Sequence, residues 1–412
     1  MDGALSSVLV LDLGRVVSAP TCCFYLASLG ATVVRVEQPG GDMSWHVPPY
    51  VGPGRVQRGI RDPDDIPIAQ MKRGRGKRSV VIDFRQEEGR GLFRRLGGRA
   101  DVVVENFRPG ILDDLGIGYR DLQPSNAGLV WCAITGYGQD GPDRATQGMD
   151  LVVQARSGLM AKTGFADGPP TKVGFMAGDQ VPAAFSTVAI LAALRERDRS
   201  GEGRFIDMAM LDVLAAMIWD EPLDLYEDEG RPQRSGSADP RGVPHDVFAT
   251  SDGWVAIVVT SHPQWARLCA LMGRPELAVE LDTLAKRLAA SDRVNGAVAG
   301  WAAQHPAEWL GDRLAEAQVP GSAVRPPGAG CTDRALRHRG LFEPLRHPGA
   351  PGWESPFVGA RMPLPADMVV PTSPAEPLGA GTDAVLADLL GLGPDEIAGL
   401  HERGVVRSTH DA

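Results

Sequence analysis

The first half of the chain alternates short apolar segments with amphipathic ones. Four runs rich in Val and Ile have the composition of buried strands, namely Val8–Leu13, Thr32–Glu37, Ser79–Phe84 and Asp101–Phe107. Helix candidates lie between them at Pro20–Leu29 and Gln86–Leu96, and glycine follows each one, as it commonly does at a helix end. This alternation predicts a parallel β/α architecture.

A further apolar run, Leu129–Thr135, leads into a turn-rich loop that extends from Gly136 to Met149. Ligands of open α/β sheets gather beyond the carboxyl ends of such strands, so this loop is expected near a binding site. Downstream, apolar residues recur at helical spacing between Val181 and Ala192, directly after Gly178-Asp179. The pattern therefore puts Asp179 at a helix N-terminus.

The second half of the chain has a different pattern. Residues 225–244 are acidic and then rich in Gly, Pro, Ser and Arg, which predicts an exposed connection and a domain boundary. Asp252-Gly253 between apolar runs indicates a hairpin, and helix candidates follow at 265–272 and 307–317, which together predict a small α+β domain. Another Pro/Gly-rich crossing, 326–365, precedes two short helical patterns at 382–390 and 394–403.

Composition narrows the class of protein. The 412 residues carry a formal charge of −10 with few lysines, which argues against a nucleic-acid binder. Five Cys residues form neither a disulfide framework nor a CxxC metal spacing, which fits a reducing compartment. The N-terminal segment does not resemble a signal peptide, and no stretch reaches the length of an apolar membrane span, so we expect a soluble cytoplasmic protein.

Several nucleotide and hydrolase motifs are absent. The basic segment 74–79 lacks the first glycine of a Walker motif but still suits a phosphate-holding loop, and no GxGxxG follows the first strand. The eight His residues are scattered, with neither HxxxH nor GxSxG nearby, so no zinc or serine hydrolase is indicated and no metal site is expected.

Two acidic residues remain as candidates for chemistry. Taken alone, Asp179 is more readily interpreted as an N-cap, and Asp150 as another helix cap. The same position also allows a catalytic role for Asp179, because free N–H groups and the helix dipole keep a carboxylate ionised and therefore nucleophilic.

The order of motifs along the chain resembles the class III CoA-transferase family, the CaiB/BaiF type, over nearly its whole length. The likeness is carried by LDLGRVVSAPTCCFYLASLGATVVRVEQPGGD, GRGKRSVVIDF, DVVVENFRPG, GYGQDGP, TGFADGPPTKVGFMAGD and SGEGRFIDMAMLDVL. The resemblance implies an α/β fold with a Rossmann-like large domain (1–224 and the C-terminal part of 331–412), a small α+β domain with its linker (225–330), and an interlocked homodimer.

The resemblance also implies a chemistry and a set of site residues. Asp179 would be the nucleophile, with Asp150 as a supporting polar group, and no cofactor would be permanently bound. Coenzyme A would be met as a substrate by Arg15, Arg75, Gly76, Lys77, Asn106, Phe107 and Arg108. The expected reaction moves CoA from an acyl-CoA, with succinyl-CoA as the expected donor, to a carboxylic acid; neither a nucleic-acid nor a membrane partner is expected.

Three positions depart from the family pattern. Asp114 stands where the family often has a basic residue, and Val17 replaces a Gln of formyl-CoA transferase, whose glycine-run loop is also missing between Arg231 and Pro244. The related acyl-CoA racemases have a His before an Asp, whereas Met149 precedes Asp150 here and cannot accept a proton. Racemisation of a 2-methylacyl-CoA and non-catalytic acyl-CoA binding remain the alternatives.

Overall fold

The computed structural model describes residues 3–230 and 232–409. Residues 1–2, Arg231 and residues 410–412 lie outside the described residues. The segment Arg231–Pro244, in which the glycine-run loop of formyl-CoA transferase is missing, therefore begins at a residue that is not described.

The N-terminal half contains nine strands and nine helices together with a 3₁₀ helix at Met43–His46. The elements are β1 (Leu9–Asp12), α1 (Ser18–Ser28), β2 (Thr32–Glu37), β3 (Tyr50–Gly52), β4 (Arg55–Gln57), β5 (Ile66–Pro67), α2 (Ile68–Arg73), β6 (Lys77–Ile82), α3 (Glu87–Gly97), β7 (Val102–Glu105), α4 (Ile111–Asp114), α5 (Tyr119–Leu122), β8 (Val130–Thr135), α6 (Asp150–Arg156), α7 (Leu159–Lys162), α8 (Ala177–Ser200), β9 (Phe205–Ala209) and α9 (Met210–Ile218).

The C-terminal half continues with mostly short elements and a second 3₁₀ helix at Pro327–Thr332. They are α10 (Leu223–Asp228), β10 (His245–Ala249), β11 (Trp254–Val258), α11 (His262–Leu271), α12 (Pro275–Glu280), α13 (Leu284–Ala289), α14 (Ser291–Ala302), α15 (Ala307–Glu316), β12 (Gly321–Ala323), α16 (Arg334–His338), β13 (Phe342–Arg346), β14 (Glu354–Ala360), α17 (Thr382–Leu390), α18 (Pro394–Glu402) and β15 (Val406–Arg407).

A seven-stranded sheet in the order β15-β6-β2-β1-β7-β8-β9 forms the centre of the fold. The six strands from β6 to β9 in this order are parallel. Numbered by their position in the chain, they lie in the order 3-2-1-4-5-6, which is the Rossmann arrangement, and β15 pairs antiparallel with β6. The predicted parallel α/β class is confirmed. The carboxyl ends of β1 and β7 meet where the strand order reverses, which is where such folds bind ligands.

Both faces of this sheet are covered, which explains why its strands are apolar throughout rather than alternating. Val10 of β1 packs in one cluster with α1 and α8, while its neighbour Leu11 packs on the opposite face with α3, α17 and α18. The five predicted strands all lie in this sheet, each within two residues of its predicted bounds. The edge strands β9 and β15 were not predicted, because β9 is only partly buried and β15 has two residues.

The chain divides into two compact units, which we describe separately. The first comprises the residues up to Leu159, Val173–Asp220 and the residues from Arg334 on; the second comprises Met160–Lys172 and Glu221–Asp333. In the second unit β10 and β11 form the antiparallel hairpin predicted at Asp252-Gly253, and β12 completes a three-stranded sheet. Its core surrounds Trp265.

Two segments differ from expectation. The Pro/Gly-rich crossing 326–365 contains an antiparallel hairpin of β13 and β14, which its prolines, glycines and a register irregularity near Pro344 concealed. The helix α8 is long and apolar enough to cross a membrane by length and composition, although no such segment was expected. Half of its most apolar window is buried, and it packs against α1 and β8, so it forms part of the core.

Candidate active site

The loop after β8 is closed at its base by a contact between two glycines. A Cβ atom on Gly136 would lie 2.7 Å from the Cα of Gly148, and one on Gly148 would lie 2.5 Å from the Cα of Gly136. The two backbones are in contact, so no larger residue fits at either position, and residues 137–147 form a loop whose ends lie together. The chain then enters α6 at Asp150, at the carboxyl-terminal edge of the sheet where the loop was expected to contribute to a site.

Asp150 is held by three N–H donor contacts. Its Oδ1 accepts the backbone N–H of Gly178 at 2.7 Å, and its two oxygens accept the Gln154 amide at 2.9 and 3.0 Å. Asp150 therefore caps the start of α8 rather than that of its own helix. Both of its carboxylate oxygens are already occupied by donors.

Gly178 allows this close approach. A Cβ atom there would lie 3.0 Å from Oδ1 of Asp150 and 3.1 Å from its Cα, tighter than ordinary contacts. The helix begins at Ala177 and Met176 occupies the N-cap position, so Asp179 is the third residue of the first turn. The interpretation of Asp179 as an N-cap is thus wrong, whereas its location at a helix N-terminus is confirmed.

The Asp179 carboxylate is partly buried, and no donor in the described part of the chain hydrogen-bonds to it. Burial and the charge of Asp150 raise its pKa from 3.8 to about 6, and Arg73 opposes this shift. The direction is opposite to the one expected from the helix terminus alone, because desolvation disfavours the charged form. At neutral pH the group is still mostly ionised, and it is more basic than an ordinary carboxylate.

Arg73, the last residue of α2, is the cation that interacts electrostatically with Asp179. Burial and the neighbouring Arg35 lower its pKa to about 10, while Asp42 and Asp179 act in the opposite direction. No hydrogen bond or ion pair joins its guanidinium to another residue within 3–230 and 232–409. Arg73 was not singled out from the sequence, because only the folded chain brings α2 close to α8.

A pocket of about 320 Å³ opens at the carboxyl ends of β1, β2 and β7, at the reversal of strand order. Its wall includes Arg15 and Phe107, and the Arg15 guanidinium lies 4.2 Å from the centre of the Phe107 ring. The Asn106 side chain accepts the Arg15 N–H at 2.7 Å and donates to the Arg15 carbonyl oxygen at 2.8 Å. Three of the predicted CoA-binding residues are therefore brought together.

Asp42 organises the other wall of this pocket. It accepts the N–H of Val16 at 2.8 Å and pairs with the buried Arg35 at 3.3 Å. Val16 has φ +59°, a strained conformation for a β-branched residue, and such strain is typical of functional loops. Asp150 and Asp179 do not line the pocket itself; Arg35 and Asp42 connect it electrostatically to Arg73 and thereby to Asp179.

The predicted residues Arg75, Gly76 and Lys77 do not join this pocket. Lys77 is 2% exposed and its Nζ pairs with Asp12 at 2.6 Å while donating to the Pro20 carbonyl oxygen. Arg75 stacks on Phe24 and binds Glu343 and the carbonyl oxygen of Ala360. The positive φ of Gly76 allows the turn between them. Their contacts are internal to the fold, so the geometry does not support a role in holding phosphate.

The remaining predicted positions lie at the surface or behind the site. Arg108 is exposed next to Phe107, and no ion pair links it to the rest of the described chain. Asp114 is exposed at the end of α4, while Val17 is buried at the start of α1. Met149 is 63% exposed and forms the N-cap of α6. Among the described residues, no group of three His, Cys, Asp or Glu side chains is arranged to hold a metal ion.

Comparison with known proteins is consistent across sequence and structure. The family model for CoA-transferase family III matches residues 5–381. Succinyl-CoA:mesaconate CoA-transferase of Haloarcula hispanica is 36% identical over 84% of this chain and 87% of that protein. Succinyl-CoA–D-citramalate CoA-transferase of Chloroflexus aurantiacus is 32% identical over 98% of each. A crystal structure of a CAIB/BAIF family protein from Brucella suis has a TM-score of 0.82 at 31% identity, covering 94% of this chain and 100% of that one.

The fold is a Rossmann-type α/β fold with a pocket at the reversal of strand order and two carboxylates, Asp150 and Asp179, at the start of α8. The chain belongs to CoA-transferase family III, and the resemblance seen in the sequence is confirmed. It is a CoA-transferase, an enzyme that meets coenzyme A as part of its thioester substrates.

Proposed function

We propose that this enzyme transfers CoA from succinyl-CoA to a carboxylic acid, with Asp179 as the nucleophile. The observation that carries the proposal is the difference between the two neighbouring carboxylates. Both oxygens of Asp150 accept hydrogen bonds, whereas the Asp179 carboxylate accepts none within the described residues. Asp150 is therefore held in place by its donors, whereas the Asp179 carboxylate is the less restrained of the pair and is the one available to attack.

The transfer follows in four balanced steps. A carboxylate oxygen of Asp179 attacks the thioester carbonyl, the C–S bond breaks, and a mixed anhydride and CoA thiolate result. The thiolate attacks the Asp179 carbonyl, the anhydride C–O bond breaks, and the donor leaves as its carboxylate. The acceptor carboxylate then attacks the aspartyl-CoA thioester, the C–S bond breaks, and a second mixed anhydride and CoA thiolate form. The thiolate attacks the acceptor's acyl carbon, the anhydride C–O bond breaks, and the acceptor's CoA thioester leaves while the Asp179 carboxylate is regenerated. No proton, oxidant or ATP is consumed.

Electrostatics support this sequence of anionic steps. Each attack adds an anionic carboxylate or thiolate to a carbonyl group and forms a tetrahedral oxyanion, so a cation near the centre stabilises the transition states. Arg73 supplies that cation, since it interacts electrostatically with Asp179 and its guanidinium is otherwise unpaired within the described chain. The raised pKa of Asp179 leaves the carboxylate ionised at neutral pH but basic enough to be an effective nucleophile.

The pocket at the reversal of strand order is the proposed site for the nucleotide end of CoA. Arg15 and Phe107 offer a planar guanidinium and a ring for the adenine, and the exposed Arg108, which follows Phe107 in the chain, offers charge to phosphate. Asn106 holds the Arg15 loop against the Phe107 loop. Arg75, Gly76 and Lys77 are left out of this proposal because their contacts are internal.

The donor and the assembly complete the proposal. The relatives from Haloarcula hispanica and Chloroflexus aurantiacus carry succinyl-CoA in their names, which supports that donor. A cytoplasmic homodimer, interlocked through domains divided near residues 225 and 331, follows from the family resemblance. Phe185 and Val188 of α8 are 43% and 64% exposed, and such apolar side chains are suited to burial by a second copy.

An isotope-exchange assay tests the first half of this reaction. Wild type incubated with succinyl-CoA and ¹³C-succinate should move the label into succinyl-CoA without any other acceptor, and Asp179→Asn should not. Asp198→Asn, an exposed substitution on the same helix, serves as the matched control. Full exchange by Asp179→Asn would contradict the proposal. Deuterium uptake at the α-carbon of a 2-methylacyl-CoA in deuterium oxide would instead indicate a racemase.

A further inference from the structure

Gln154 lies in the middle of α6 with its side chain completely buried, at 0% exposure. A buried amide is costly unless its donors and acceptor are paired. Here Nε2 donates to both oxygens of Asp150 at 2.9 and 3.0 Å, and Oε1 accepts the backbone N–H of Val173 at 3.1 Å. Both ends of this amide are therefore used, and each contacts a segment that leads to Asp179.

The two contacts secure the chain on both sides of a short segment. Val173 is the residue at which the chain returns to the first compact unit after the excursion Met160–Lys172. Five residues later, the N–H of Gly178 donates to Asp150 at 2.7 Å. Segment 173–178 is thus fixed to α6 at its beginning by Gln154 and at its end by Asp150, and Asp179 follows immediately.

We propose that Gln154 is a positioning residue of the transfer reaction, which orients the Asp150 carboxylate and anchors the returning chain so that Asp179 stays aligned for attack. This inference rests on the proposed role of Asp179 as nucleophile. Gln154 itself does not contact the reacting atoms. It acts through Asp150 and through the backbone of segment 173–178.

An exchange of side-chain chemistry separates positioning from mere packing. In Gln154→Glu, two carboxylates face each other and the amide donor is lost. In the double variant Gln154→Glu/Asp150→Asn, the introduced amide can donate to the introduced carboxylate while its oxygen still accepts the Gly178 N–H. The introduced carboxylate still accepts the Val173 N–H. The double variant thus keeps the contacts to Gly178 and Val173 and restores one donor–acceptor contact between positions 150 and 154, with donor and acceptor reversed.

The test measures kcat and the KM for succinyl-CoA for these variants and for Gln154→Met. Since small misplacements of a reacting group lower the rate by up to about 100-fold, we expect Gln154→Met to lower kcat by roughly 10- to 100-fold with KM changed less than about 3-fold. The double variant should exceed Gln154→Glu in kcat by at least about 10-fold, and the exposed control Gln304→Met should match wild type.

A folded Gln154→Met enzyme with wild-type kcat would overturn the inference. If Gln154→Met does not fold, a folded double variant no more active than Gln154→Glu would overturn it as well. In either case an Asp179-dependent covalent adduct in wild type would leave the proposed function standing. Absence of that adduct in wild type would remove the proposed function and this inference together.

Discussion

At the scale of single residues, hydrogen bonding gives two neighbouring carboxylates different properties. Both oxygens of Asp150 accept hydrogen bonds from Gln154 or Gly178, which hold this carboxylate in place at the start of α8. Asp179 has no such partner in the described chain, and the charge of Asp150 combines with burial to raise its pKa. A helix terminus that by itself would stabilise the anion thus becomes a site where a carboxylate is ionised yet basic.

The pKa of Asp179 predicts the acid limb of the reaction. Only the ionised carboxylate attacks a thioester, so kcat should rise with pH through about 6 and level off above it. Asp150→Asn removes a charge that raises the pKa of Asp179, so the acid limb of this variant's kcat–pH profile should lie at lower pH than that of wild type. Rates of CoA transfer by both enzymes, measured from pH 4.5 to 8.5, check this. A wild-type kcat that stays constant down to pH 4.5 would contradict this role for Asp179.

The same shift predicts a stability cost at neutral pH. Because the pKa in the folded state exceeds the ordinary 3.8, the folded chain retains the proton longer, and stability falls as pH rises from about 4 to about 6. Asp179→Asn should therefore raise the free energy of unfolding at pH 8 by on the order of 2 kcal/mol while abolishing transfer. Urea unfolding at pH 8 and pH 4 checks this, since the free energies of unfolding of Asp179→Asn and wild type should be nearly equal at pH 4.

Residue-level prediction from sequence succeeded for local features and failed for distant contacts. Asp179 and Asp150 were found because each follows a recognisable motif, and the start of α8 lies within two residues of its expected place. Arg73 and Gln154 were missed, since neither stands in a motif and each acquires its partners only when distant segments fold together. The sign of the Asp179 shift was also missed, because burial is a property of the whole fold.

At the scale of elements, close backbone contacts bring the loops to the site. The contact between Gly136 and Gly148 closes the loop after β8, and Gly178 lets α8 start against Asp150. The strands and helices of the sheet were predictable from Val/Ile runs and glycine stops. The edge strands and the β13–β14 hairpin were not, because short, half-exposed or proline-containing strands carry little periodic signal.

Lys77 at the start of β6 is a further test at this scale. Its pair with Asp12 is completely buried, so Lys77→Met would leave a carboxylate without its cation and should lower the free energy of unfolding by about 3 kcal/mol or more. The neighbouring Arg78→Met removes a half-exposed pair with Asp388 and should cost less than about 1 kcal/mol. Denaturant unfolding and the KM for acyl-CoA distinguish a structural role of Lys77 from a role in CoA binding. Unchanged stability of Lys77→Met with a raised KM for acyl-CoA would show that Lys77 binds CoA.

At the scale of the whole molecule, both ends of the described chain contribute to one sheet. β1 is its central strand and β15 is its edge, so residues near both ends of the described chain are needed to complete the sheet. Between these ends the chain leaves the first compact unit twice, at Leu159 and at Asp220. The composition near residue 225 predicted the longer excursion. The short one, 160–172, contains the turn-forming run Asp167-Gly168-Pro169-Pro170 but was not predicted as a boundary.

This arrangement predicts a strong effect of removing the residues after Gly404. Val405 and Val406 are buried at 0% and 1% exposure, and the Asp83 N–H and the Thr382 hydroxyl donate to carbonyl oxygens of this strand. Loss of β15 should therefore lower the free energy of unfolding by about 3 kcal/mol or more. Val405→Ala keeps the strand and should cost less. Thermal and urea unfolding compare the two; a truncated chain as stable as wild type would contradict this role of β15.

The central claim is that Asp179 carries the acyl and CoA groups in turn, and intact-protein mass spectrometry tests it most directly. Wild type, Asp179→Ala and Asp198→Asn would be incubated with a panel of acyl-CoAs that includes succinyl-CoA, with and without hydroxylamine to trap activated carboxyl groups. We predict a CoA adduct, or a hydroxamate at Asp179, in wild type and Asp198→Asn and none in Asp179→Ala. An adduct that persists in Asp179→Ala, or turnover by wild type without any adduct or hydroxamate, would contradict the mechanism.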